Sequence, residues 1–83
     1  MGNVVSPIQK RILSFFHEHP HALETARGIA TWLGQDVQSI QEALNGLVSR
    51  KWLAVDTTAA VTGYGLTREE RFLTQIRQIL EPS

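Results

Sequence analysis

The chain has 83 residues, 42% of them hydrophobic, with eight Lys and Arg balancing eight Asp and Glu and no cysteine. That length holds one domain and one core, and the lack of cysteine removes disulfides, thiolate metal sites and thiol nucleophiles. Zero net charge excludes the general positive excess that drives most nucleic-acid binding, so any DNA contact has to come from local patches. No segment approaches the roughly 18 uninterrupted apolar residues of a membrane span, and residues 1–7 lack the basic flank and apolar run of a secretory signal, so a cytoplasmic location with no membrane partner is expected.

The first helix opens at Ser6-Pro7, Ser6 as N-cap and Pro7 at the position where its missing N–H costs nothing. Ile8, Ile12, Leu13, Phe15 and Phe16 recur at helical spacing, and Pro20 ends the helix near Glu18. Ala22-Leu23 reads as a short extended piece. Thr25 caps a second helix that runs to Leu33, where Gly34 supplies a left-handed stop, and its inner face is Ala26, Ile29, Ala30 and Leu33. Asp36 caps a third helix over 37–50 with an inward stripe of Val37, Ile40, Leu44 and Leu47 and an outward face of Gln38, Gln41, Glu42, Asn45 and Ser49.

After Lys51 the pattern turns to strand formers. Trp52-Leu53-Ala54-Val55 and Ala60-Val61-Thr62 flank a turn at Asp56-Thr57-Thr58-Ala59, and Gly63-Tyr64-Gly65-Leu66 completes the second strand. Thr67-Arg68-Glu69-Glu70 reads as a capping box, Thr67 the cap and Glu70 reaching back, before a last helix over 68–80 lined by Phe72, Leu73, Ile76, Ile79 and Leu80. The expected fold is mainly α with a small β-hairpin, one domain over 1–83.

The segment TARGIATWLGQDVQSIQEALNGLVSRKWL, residues 25–53, resembles the helix-turn-helix of winged-helix regulators of the MarR and ArsR type, and YGLTREER, residues 64–71, looks like their wing strand returning into a final helix. The resemblance spans about residues 6–80 and implies a winged helix-turn-helix. Its parts would be a three-helix core with the helix-turn-helix over 25–51, a two- or three-stranded wing over 52–66, and the C-terminal helix. It also implies that the third helix enters a DNA major groove. Gln38, Gln41 and Asn45 then carry amides able to pair with adenine, Ser39 can reach base or phosphate, and Glu42 must accept from a cytosine amino group or repel phosphate. Arg27, Arg50 and Lys51 are the expected backbone clamps. The wing departs from the family's habit, since Asp56 is its only charged residue.

His17, His19 and His21 alternate around Glu18 and Pro20, but a His at a helix end is explained by the helix dipole, and neither metal nor cofactor is expected. Trp32 and Trp52 are expected to pack in the core with the indole N–H at its edge. The glycines of Gly63-Tyr64-Gly65 mark a bulge or a close strand approach rather than a phosphate loop. No nucleophile, base and orienting group can be assembled, so an enzyme is not expected. Two functions remain: sequence-specific double-stranded DNA binding by a small homodimeric transcription regulator, or a winged-helix module that binds protein. The apolar stripe Phe72, Leu73, Ile76, Ile79 and Leu80 is the expected dimer interface.

Overall fold

A computed structural model describes residues 5–81. Its elements in chain order are α1 (Pro7–Glu18), β1 (Leu23–Glu24), α2 (Ala26–Leu33), α3 (Val37–Ser49), β2 (Leu53–Asp56), β3 (Gly63–Leu66) and α4 (Glu70–Leu80). Local chemistry sets most of these boundaries. The Ser6 hydroxyl accepts from the Gln9 backbone N–H while the Gln9 side chain accepts from the Ser6 N–H, a complete capping box at the start of α1. The Thr25 hydroxyl accepts from Gly28 N–H at the start of α2, and the Asp36 carboxylate accepts from Ser39 N–H at the start of α3.

Helix α2 ends at Gly34, whose φ of 67° lies in the left-handed region, and the Gln35 N–H returns to Ala30 O. Helix α3 ends the same way without a glycine. Lys51 takes φ 66°, its N–H donates to Val48 O, and Trp52 N–H donates to Leu47 O.

Helices α1, α2 and α3 enclose a core of Ile12, Leu13, Phe16, Ile29, Ile40, Leu44 and Leu47, all with no exposed surface. Trp52 and Leu53 of the wing base, Tyr64 of β3 and Ile76 of α4 close it. Trp52 behaves as expected, its ring buried and its Nε1–H donating to Gln75 Oε1 of α4 at 2.9 Å. The sheet is antiparallel in the order β1-β3-β2, which makes the wing three-stranded.

Several details differ from the sequence reading. Val37, the first residue of α3, is 40% exposed rather than inward, and Ala43 joins Ile40, Leu44 and Leu47 in the core. Trp32 is 66% exposed; helical geometry sets it opposite Ala30, and its ring lies 5.7 Å from that of Phe15 at the rim.

Ala60, Val61 and Thr62 are not strand but part of a loop over 57–62, since β3 begins at Gly63 opposite Asp56. The Asp56 carboxylate folds this loop back by accepting from both the N–H and the hydroxyl of Thr58. Thr67 does not cap the last helix. It is buried, its N–H donates to Trp52 O and its hydroxyl accepts from Glu69 N–H, so α4 starts at Glu70, two residues later than expected, behind Glu69, and Glu70 pairs with Arg77 instead of reaching back.

Candidate nucleic-acid interface

The face opposite the core of α3 is polar from end to end. With about 100° between successive residues, Ile40, Ala43, Leu44 and Leu47 point inward and Gln38, Glu42, Asn45 and Ser49 outward. Gln38, Glu42, Asn45 and Ser49 are all exposed. Two candidate residues sit on the flanks. Ser39 faces the start of α1, where it borders a hollow with Ser6, Gln9 and Glu42, and its hydroxyl donates to Asp36 Oδ1 at 2.8 Å. The Ser39 backbone and side-chain donors hold the Asp36 carboxyl below the ordinary 3.8. The positive end of α3 thus already carries a carboxylate.

Gln41 lies on the opposite flank, toward the wing, and is half-buried. Its Nε2 donates to Asn45 Oδ1 at 3.1 Å and to the hydroxyl of Tyr64 at 2.8 Å. Tyr64 sits on the middle strand β3, opposite Val55 of β2 and Glu24 of β1, and is 6% exposed. The sequence reading did not single out Tyr64 as a site residue. No local signal points to it, because the contact joins residues far apart in sequence; the general cue is that a tyrosine buried on a strand needs a partner for its hydroxyl.

The expected clamps are dispersed. Arg27 is exposed on α2, Lys51 is exposed just past α3, and the Arg50 guanidinium lies over the Trp52 ring, 4.9 Å from its centroid. Other cations stand on the far side of the domain. Arg11 donates to Leu33 O, where it neutralises the C-terminal end of α2, and Arg77 bonds Glu70 at 2.6 Å. A cleft of about 580 Å³ between α1 and α4 is lined by Lys10, Arg11, His17 and Arg77 together with Leu80 and Glu81. His17, His19 and His21 are exposed, and among the described residues no three His, Asp or Glu side chains gather in a group able to hold a metal.

Of the residues expected at a dimer interface, Ile76 is 1% exposed and belongs to the protomer's own core. Phe72, Leu73, Ile79 and Leu80 are half-buried, and Phe72, Ile79 and Leu80 rest on that core. Among the described residues no helix is long and apolar enough to cross a membrane.

No protein-family model and no curated protein matches the chain. Solved structures do. The adhesin competence repressor AdcR of Streptococcus pyogenes aligns with a TM-score of 0.69 at 20% identity, over 94% of this chain and 59% of that one. The YusO protein of Bacillus subtilis aligns with a TM-score of 0.67 at 20% identity, over 94% of this chain and 60% of its own. A mutant of MepR from S. aureus gives 0.67 at 20% identity, over 90% of this chain and 60% of its own. The fold is therefore the winged helix-turn-helix expected from the sequence, with four helices and a three-stranded antiparallel sheet. The chain spans about three-fifths of the length of these proteins. One of them is by name a repressor, and none is described as an enzyme.

Proposed function

We propose that this chain binds double-stranded DNA with α3 in the major groove, as the DNA-reading part of a homodimeric transcription regulator. The observation that carries the reading is the outward face of α3, where Gln38, Glu42, Asn45 and Ser49 stand exposed without a large apolar residue among them. A helix that docks on protein presents apolar anchors on such a face, whereas one that reads base edges presents amides and hydroxyls. Val37 adds to this, because a half-exposed valine in the first turn of a groove-entering helix fits the C5-methyl of thymine. Exposed Arg27 and Lys51 flank the helix as phosphate partners, with Arg50 held against Trp52 beside them. AdcR, a repressor of the same fold, supports the regulatory role. The half-buried residues Phe72, Leu73, Ile79 and Leu80 of α4 supply the dimer contact, which sets two reading helices about 34 Å apart, one turn of the duplex.

The test is selection from random duplexes followed by a salt titration. The expected result is a preferred sequence with a shallow salt slope, since so few phosphates are neutralised. Selection of no sequence refutes the reading.

A second reading, a module that binds protein, is favoured by the wing. Asp56 is its only charge, and Val55 and Val61 are 44% and 61% exposed. Binding that is lost when Val55 and Val61 are made polar, and that persists unchanged at high salt without DNA, would establish it.

A further inference from the structure

We infer that Tyr64 is a positioning residue that fixes which bases α3 can read, an inference that rests on the DNA reading above. A primary amide nitrogen carries two protons, and both protons of Gln41 are committed, one to Tyr64 Oη at 2.8 Å and one to Asn45 Oδ1 at 3.1 Å. Gln41 is therefore left with its Oε1, an acceptor, to offer a base. Asn45, whose Oδ1 accepts from Gln41, keeps its Nδ2, a donor, to offer a base. Together the two amides present one acceptor and one donor.

The alternation survives reversal of the whole network. If Tyr64 donates to Gln41 Oε1, Asn45 has to donate to that same oxygen, and the outward pair becomes one donor and one acceptor in the opposite order. In neither order do both amides turn their nitrogens outward while the three groups stay bonded, so one of the two always sets an acceptor oxygen toward the base.

In the major groove adenine presents N7 as an acceptor and N6 as a donor, whereas guanine presents two acceptors, N7 and O6. The linked amides match adenine in either order and oppose guanine. A free glutamine is not so restricted, since it can turn its amide to meet either purine.

The Gln41 and Asn45 pair alone does not enforce this, because such an i, i+4 hydrogen bond on an exposed helix face is weak and gives way to a base. Tyr64 supplies the restraint. The residue is 6% exposed on the central strand, so its hydroxyl is a fixed point, and releasing Gln41 leaves that part-buried hydroxyl without its partner. The wing, which has no cation of its own, thus acts on DNA through the helix it braces.

The test compares the parent with Tyr64→Phe, which keeps the buried ring and deletes the hydroxyl. In selection from random duplexes the parent prefers adenine over guanine at one position, and Tyr64→Phe lowers that ratio about tenfold, within the range set by one good amide pairing, with the salt slope unchanged. A purine preference identical in the two proteins overturns the inference and leaves the DNA reading standing. A second readout needs no DNA. In NMR hydrogen exchange on the parent, the side-chain amide protons of Gln41 are protected relative to those of Gln38, and Tyr64→Phe abolishes the difference. Equal exchange of Gln41 and Gln38 in the parent overturns the inference even if Tyr64→Phe folds poorly. A parent that selects no sequence while Gln41 is protected overturns the DNA reading, and the inference with it.

Discussion

Replacing Gln41 with Ala removes the partner of the hydroxyl of Tyr64, a residue 6% exposed, and the cost can be worked from the geometry. A buried donor or acceptor left without a partner costs about 1–3 kcal/mol, and the Tyr64 Oη bond is only part-buried, so about 1–2 kcal/mol applies here. Alanine is the better helix former by a few tenths of a kcal/mol, which offsets little of this. Tyr64→Phe leaves one Gln41 amide proton without its partner while the bond to Asn45 stays, and that side chain is half-buried and can turn to water, so about 0.5–1 kcal/mol is expected. In the double variant neither group is stranded, and its destabilisation should fall short of the sum of the single variants by about 1 kcal/mol. The assay is urea denaturation of all four proteins at one pH, with the coupling taken from the midpoints provided the slopes agree. Additivity within about 0.3 kcal/mol would mean that the hydroxyl does not depend on Gln41 and would refute the reasoning.

Lys51→Gly relieves about 1–2 kcal/mol of left-handed backbone strain at φ 66° and returns about 0.4–1 kcal/mol of chain entropy, so thermal unfolding should rise by a few degrees. The same change should weaken binding to all DNA sequences alike and flatten the salt slope by about one unit, and a loss confined to one sequence would contradict a phosphate role. Ile76→Ala should lower stability by about 2–4 kcal/mol because its side chain fills the protomer's own core, whereas Leu73→Glu should leave the fold intact and convert dimer to monomer in sedimentation. A parent that sediments as a monomer at high micromolar concentration removes α4 as an interface. Asp36 and Asp56 are both held below 3.8, Asp36 by the Ser39 N–H and hydroxyl and Asp56 by the Thr58 hydroxyl and N–H. Their folded carboxyls bind protons less readily than the unfolded ones, so the stability they add is present above about pH 4 and lost as pH falls through the folded values. Asp36→Asn should make unfolding midpoints less sensitive to pH between about 2 and 5, and an unchanged acid limb would show that this carboxylate is not linked to folding.

The ends of the first three helices were legible in the sequence because each is decided within about four residues. Ser6-Pro7, Thr25 and Asp36 cap by reaching the N–H three residues on, and Gly34 takes the φ of 67° that residues with a Cβ avoid. The stripe Ile40, Leu44 and Leu47 was legible for a similar reason, since periodicity alone brings those residues to one face. At the flanks of a helix that reasoning stops, because burial there depends on which neighbour stands alongside. Val37 and Trp32 carry apolar side chains but stay largely exposed, Trp32 meeting α1 only at its rim through Phe15, and Gln41 is polar but faces the wing. The wing was decided still further away. Strand β3 runs alongside β1 in the sheet, where a methyl group built on Gly63 would lie 3.1 Å from Leu23 Cγ and one built on Gly65 would lie 3.4 Å from Ala22 O. Pairing therefore begins at Gly63 rather than at the strand-forming Ala60-Val61-Thr62, and Thr67 is drawn to Trp52 O instead of capping α4. The sequence by itself determined the helices, their order and the polar face of α3, all products of contacts a few residues long. Only the tertiary structure decided that Tyr64 meets Gln41, because that bond exists only once a strand and a helix far apart in the chain have packed side by side.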